Sequence, residues 1–165
     1  MQPEFNSRQI KIVIGLGNPG KKYKNTYHNA GHTFIDYLEK NSPLPKENLL
    51  KSGVFMNDSG SYVASLVKKR KIARPEETLV VHDDSDLALG TYKFSFGRGA
   101  AGHKGIQSVI DALKTEDFWR LRIGIRKQES GIRQKAGVFV LKKITLKDKN
   151  ILKEVFEKIL PRLSA

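Results

Sequence analysis

The apolar run at residues 10–14 (Ile-Lys-Ile-Val-Ile) breaks directly into Gly15-Leu-Gly-Asn-Pro-Gly20, and this junction most constrains the fold. Such a run reads as a buried strand ending at Gly15, and strand exits of this kind are where α/β proteins present working side chains. The pattern then alternates. Phe34, Ile35 and Leu38 form a helical stripe within residues 30–40, and Pro43 and Pro45 break the chain. Val63, Leu66 and Val67 mark a second helix that runs into the basic stretch 68–71. Residues 78–81 read as the next strand, and Tyr92, Phe94 and Phe96 alternate as a half-exposed strand does. Ile106, Val109, Ile110 and Leu113 fall at helical spacing, Leu121, Ile123 and Ile125 alternate with Arg122 and Gly124, and residues 138–141 read as a last strand. Thr145 and Asp148 have capping-box spacing ahead of an amphipathic helix that Pro161 is expected to stop. With short connections and no repeat or linker, the expectation is a single α/β domain over residues 1–165 with a mixed twisted sheet flanked by helices.

Charge narrows the partner. Thirty Lys and Arg against seventeen Asp and Glu leave a net charge of +13, which points to a polyanion, with nucleic acid first. The plainer reading is a solvated basic surface. Lys21, Lys22 and Lys24 lie just ahead of His28, however, while Arg98, Lys104, Arg122 and Arg126 lie near a second glycine-rich loop. The absence of cysteine excludes disulfides, thiolate metal sites and a cysteine nucleophile. The first nine residues are short and polar, and no apolar run approaches membrane-spanning length, so a cytoplasmic protein with no membrane partner is expected.

Several sites can be weighed by spacing. Gly15, Gly17 and Gly20 satisfy the dinucleotide fingerprint, but Pro19-Gly20 and the polar stretch after it read as loop, so no helix opens inside the glycines to meet a pyrophosphate. His28 and His32 are four apart, yet Asn29 stands where a zinc protease needs its glutamate, and no third ligand has a recognisable spacing. His32 is better read as a packing or capping residue. Ser59 lies in no nucleophile elbow and looks like a turn or helix cap. What remains is a histidine acting on water, which needs a carboxylate to hold its tautomer and amides to position the carbonyl. His82-Asp-Asp-Ser-Asp86 supplies the carboxylates at a strand end. Asp83 is expected to face inward, and Asp84, Ser85 and Asp86 to form a turn. The loop Gly97-Arg-Gly-Ala-Ala-Gly-His-Lys-Gly105 leads into a helix near Ile106, where converging N–H groups with Arg98 and Lys104 favour an anion.

As a set, Gly15-Leu-Gly-Asn-Pro-Gly20, Tyr23, Thr26, His28-Asn-Ala-Gly31, Phe55-Met-Asn57, His82-Asp83, Gly102-His103 and Arg120-Leu-Arg-Ile-Gly-Ile125 resemble the bacterial-type peptidyl-tRNA hydrolase family. The resemblance runs in order through almost the whole chain. It implies a cofactor-free and metal-free hydrolase that cleaves the ester joining a peptide to tRNA, acting on peptidyl-tRNA as a monomer. Carried over by motif, His28 is the general base and Asp83 its carboxylate partner. Asn18 and Asn57 hold the peptide and orient the reacting groups, Tyr23, Phe55 and Met56 line the crevice, and His103 and Lys104 contact substrate. Arg122, with Arg98, contacts tRNA phosphate. Lys104 departs from the family's usual asparagine. Residues 39–54 are short, apparently missing strand material, and the C-terminal helix ends early, so reduced cleft walls are expected. These departures leave two alternatives: an RNA-binding protein that keeps the scaffold without catalysis, and a generic esterase.

Overall fold

Strand β3 (Thr78–Ala88) sets the architecture. Its Leu79 and Val81 belong to one apolar core and Val80 to another, and all three are fully buried, so helices must cover both sheet faces. In the computed structural model, which describes residues 1–127 and 136–165, β3 is the central strand of a five-stranded sheet of order β2-β1-β3-β5-β4. β1 (Ile12–Gly15), β2 (Leu49–Lys51) and β5 (Trp119–Arg126) run parallel to it, and β4 (Tyr92–Phe96) runs antiparallel to β5.

Helices α1 (Ala30–Asn41) and α5 (Leu146–Leu163) cover one face, where Phe34, Leu38, Val155 and Phe156 pack with Leu79, Val81, Leu121 and Ile123. Helices α2 (Ser59–Lys69) and α3 (Lys104–Leu113) cover the other, burying Val63, Ile106 and Val109 against Ile12, Ile14 and Val80. Each such side chain contributes about 1.5–3 kcal/mol by leaving water. Two close approaches lock the layers. A Cβ on Gly15 would lie 2.3 Å from the Gly31 carbonyl oxygen, so α1 starts directly against the end of β1. A Cβ on Gly60 would lie 1.9 Å from the Ser108 carbonyl oxygen, which fixes α2 on α3.

The alternating architecture matches the sequence pattern, with four corrections. Strand β3 continues past residue 81 to Ala88, so Asp84, Ser85 and Asp86 lie in a strand with a register shift instead of a turn. Pairing with β5 carries it there, since His82, Asp83 and Asp84 sit opposite Arg122, Ile123 and Gly124. Residues 138–141 form no strand: α4 (Ala136–Phe139) ends there in a turn closed by Lys142 N–H on the Phe139 carbonyl at 3.0 Å. Pro161 does not stop α5, which reaches Leu163 because that side chain is buried in the core and Ser164 N–H closes on the Leu160 carbonyl. The carbonyl left without Pro161's missing donor belongs to Glu157, a residue on the exposed face of the helix. Finally, the shortened segment keeps an edge strand, β2, paired with β1. Among the described residues no helix is long and apolar enough to cross a membrane.

Gly60→Ala is expected to destabilise the fold by about 2–3 kcal/mol, because the new methyl meets backbone that can yield only by separating α2 from α3. Urea unfolding of the variant, compared with Ala64→Gly as a helix-propensity control on α2, measures it.

Candidate active site

Asp83 is 2% exposed at the exit of β3, a position where a lone carboxylate would be costly. Two imidazoles resolve the cost. His28 Nδ1 lies 2.9 and 3.0 Å from the two carboxylate oxygens, and His103 Nε2 lies 2.9 Å from Oδ1. Burial pushes the Asp83 carboxyl up, but the charges and N–H groups of His103 and His28 outweigh it and hold the carboxyl well below the usual range. The hydrogen bonds also set tautomers. His28 donates from Nδ1, leaving Nε2 as its acceptor on a ring that lines the crevice. His103 donates from Nε2 and accepts the Ile106 N–H at Nδ1, so the same ring caps α3.

His28 owes its position to distant chain. It sits in a single 3-10 turn, Tyr27–Asn29, whose Tyr27 and His28 N–H groups donate to the carbonyls of Lys142 and Val140 at 3.1 and 2.7 Å. The segment after α4 thus acts as a backbone clamp. Asn18 is fixed as firmly. Its backbone exchanges two bonds with the Asn29 side chain, and its Oδ1 accepts the Met56 N–H at 2.8 Å. With Oδ1 so engaged, the Asn18 amide nitrogen is the end free to donate into the crevice that the residue lines.

That crevice has a volume of about 1160 Å³. Asn18, Tyr23, His28, Phe55, Met56 and Asn57 line it. Asp83, Arg98, His103, Lys104 and Arg122 do so as well, and these candidate residues read from the sequence thus meet in one place. Tyr23 and Phe55 stand edge to face, 6.1 Å between ring centres, and Phe55 is 54% exposed at the rim. The amino end of α3 opens beside His103 and Lys104 and brings its partial positive charge to the site. Asp84 and Asp86 avoid mutual repulsion. Asp84 accepts from Arg122 Nε at 2.6 Å, while Asp86 is exposed. Arg122 is therefore committed to Asp84, with Ser95 Oγ as a further partner at 3.3 Å.

His28, Asp83 and His103 have donor atoms within 4.8 Å of one another, close enough to surround a cation. Those atoms are already spent on two N–H···O contacts within the trio, which a metal ion would have to replace. Sequence reasoning missed four contributors. Asn29 orients Asn18; the segment after α4 holds His28; His82 and Arg120 lie beneath the crevice. Arg120 could have been found, because its two-residue spacing from Arg122 puts both on one face of a strand. His32, read as a packing or capping residue, packs its ring against Gly17 and meets Ser52 Oγ at 3.2 Å, and that hydroxyl accepts the Gly17 N–H.

Comparison with known proteins follows the same outline. The family model for peptidyl-tRNA hydrolase matches residues 12–165. A peptidyl-tRNA hydrolase from Hydrogenobaculum is 41% identical over 90% of this chain and 86% of its own length. Another, from Neisseria meningitidis, is 45% identical over 72% of this chain and 71% of its own. The crystal structure of peptidyl-tRNA hydrolase from Acinetobacter baumannii superposes with a TM-score of 0.77 at 28% identity, covering 99% of this chain and 98% of that one. An Arg119Gln mutant of the Acinetobacter baumannii enzyme reaches 0.81 at 30% identity, covering 98% and 90%.

Burial pushes the His32 imidazole down to about 4, against a weaker opposing pull from Ser52. Between that value and about pH 6.5 the unfolded chain binds a proton that the folded chain refuses, so stability is full above pH 6.5 and falls as pH drops toward 4. The loss approaches about 3 kcal/mol. In His32→Gln, urea midpoints measured across this interval should lose the corresponding slope.

Proposed function

Because the chain belongs to the peptidyl-tRNA hydrolase family, we propose that His28, held by Asp83, is the base of its reaction. That reaction is hydrolysis of the ester between a peptide and tRNA. The observation that carries the assignment is the Nδ1 bond from His28 to a buried carboxylate, which leaves Nε2 as the ring's acceptor in a crevice wide enough for the ester. Water gives a proton to His28 Nε2 as its oxygen attacks the ester carbonyl carbon. Asp83 stabilises the resulting imidazolium. The tetrahedral intermediate collapses with cleavage of the bond to the ribose oxygen, which takes the proton back. Free tRNA and a peptide with a new carboxyl group leave.

The remaining groups divide by chemistry. Asn18 donates from its amide nitrogen to a peptide carbonyl, and Asn57 makes a second polar contact on the same wall. His103 keeps Asp83 in place and shapes the floor. Tyr23, Phe55 and Met56 cover the apolar parts of the peptide. Lys104, Arg98 and Arg122 face the tRNA, with Lys104 adding a charge where the family usually has a neutral amide. No metal or cofactor takes part in this scheme. A single domain contributes every group, so a monomer suffices, and translation places its work in the cytoplasm.

Removing the base should cost about 10²–10⁴-fold in turnover. Release of a labelled N-acetyl-aminoacyl group from its tRNA ester, with chelator present, should show that loss in His28→Ala while tRNA affinity stays within about threefold. Equal release by variant and wild type would remove His28 from the mechanism, and sensitivity to chelator would bring a metal into it. Wild-type binding without turnover would revive the RNA-binding alternative.

A further inference from the structure

The ladder between β1 and β2 ends just before Asn18, and side chains take over from it. Ser52 N–H still reaches the Gly15 carbonyl at 2.9 Å. Beyond that bond, Gly17 and Asn18 are buried outside any strand, with four backbone polar groups to satisfy. Two side chains satisfy all four. Asn29 accepts the Asn18 N–H and donates to the Asn18 carbonyl, both at 2.9 Å. Ser52, fully buried one residue past β2, does the same for Gly17: its hydroxyl accepts the N–H at 3.1 Å and donates to the carbonyl at 3.2 Å. A hydroxyl has one proton to give, so its third partner, His32 Nε2 at 3.2 Å, must donate to it. Burial pushes the His32 imidazole down to about 4, which leaves a neutral ring with its proton on Nε2 near neutral pH. The same ring fills the space against Gly17, where a Cβ would lie 2.8 Å from its Cδ2 and Cγ. The peptide plane joining Gly17 to Asn18 is thus gripped at both ends, by Ser52 on its carbonyl and by Asn29 on its N–H.

We propose that Ser52 and His32 are positioning residues for substrate binding: they brace the Gly17–Asn18 peptide and so aim the Asn18 amide at a carbonyl of the bound peptide. The inference rests on the reading of Asn18 as a substrate contact. Neither Ser52 nor His32 lines the crevice, so Asn18 is their route to the substrate. Its side chain is pinned only through Oδ1, on the Met56 N–H at 2.8 Å, and a rotation of the peptide plane behind it would swing the amide nitrogen away from its target. Misplacement by about 1 Å is enough to cost a contact of this kind much of its worth.

A double-mutant cycle tests this on release of an N-acetyl-aminoacyl group from its tRNA ester, at a temperature where each variant is folded. Ser52→Ala should raise KM about tenfold with kcat within about twofold, and Asn18→Ala should raise KM at least as much. In the Asn18→Ala background, Ser52→Ala should add nothing, because its effect passes through the side chain already removed. His32→Gln keeps an N–H donor for the hydroxyl and should stay within about twofold of wild type, whereas His32→Leu should raise KM. His32→Leu leaves Ser52 in place, so it carries the same cycle if Ser52→Ala does not fold. Amide hydrogen exchange supplies a readout without turnover: Ser52→Ala should speed exchange at Gly17 while the β3 amides keep their protection. Additive losses in the cycle would make Ser52 a structural residue and overturn the assignment. So would an unchanged KM in Ser52→Ala, or exchange at Gly17 that does not respond. Wild-type kinetics in Asn18→Ala would remove the role of Asn18 and this inference with it. Wild type without turnover would fail the hydrolase reading instead, and the exchange arm would still report on the brace.

Discussion

The rest of the site depends on one buried negative charge. Asp83 lies at the exit of the central strand, where the sheet excludes water, and is stable there because two N–H groups from different parts of the chain converge on it. Removing either imidazole would leave a carboxylate without enough donors, so the interaction ties the 3-10 turn before α1 to the first turn of α3. The same bonds decide the protonation pattern. One imidazole is left with an acceptor facing the crevice, and the other has both nitrogens spent, on Asp83 and on the helix cap. Two histidines of like chemistry thus take different tasks through their partners alone.

The fold supports this charge with backbone contacts more than with side chains. Glycines at the end of β1 and the start of α1 allow the approach that brings His28 over the sheet. Carbonyls beyond α4 take up the N–H groups of its turn, and an asparagine pair holds Asn18 against Met56. They fix the orientation of His28 and Asn18 at the crevice, and reactions between held groups are sensitive to such orientation.

What the sequence made legible was whatever depended on period and punctuation. The alternating strands and helical stripes, the glycine-marked strand exit, and the inward-facing Asp83 beside His82 all follow from local rules, as does the Thr145 cap that accepts the Asp148 N–H. The rest depended on partners far along the chain. Nothing near Asp84 says that β3 continues, because β5 supplies the pairing. The apolar residues 138–141 look like a strand, but they end a short helix in a turn, and the Val140 carbonyl accepts the His28 N–H instead. Pro161 looks like a stop, and burial of Leu163 overrides it. The spacing of Arg120 and Arg122 puts both on one strand face, but only tertiary packing shows which one finds a carboxylate.

The clamp between the turn of His28 and the segment after α4 has a consequence for how the protein comes into being. The turn of His28 lies between β1 and α1, while the carbonyls that hold it belong to Val140 and Lys142, beyond β5. The sheet and the helices on its faces can assemble while His28 still lacks these backbone partners. The geometry around His28 is complete only once the segment after α4 has docked on that turn.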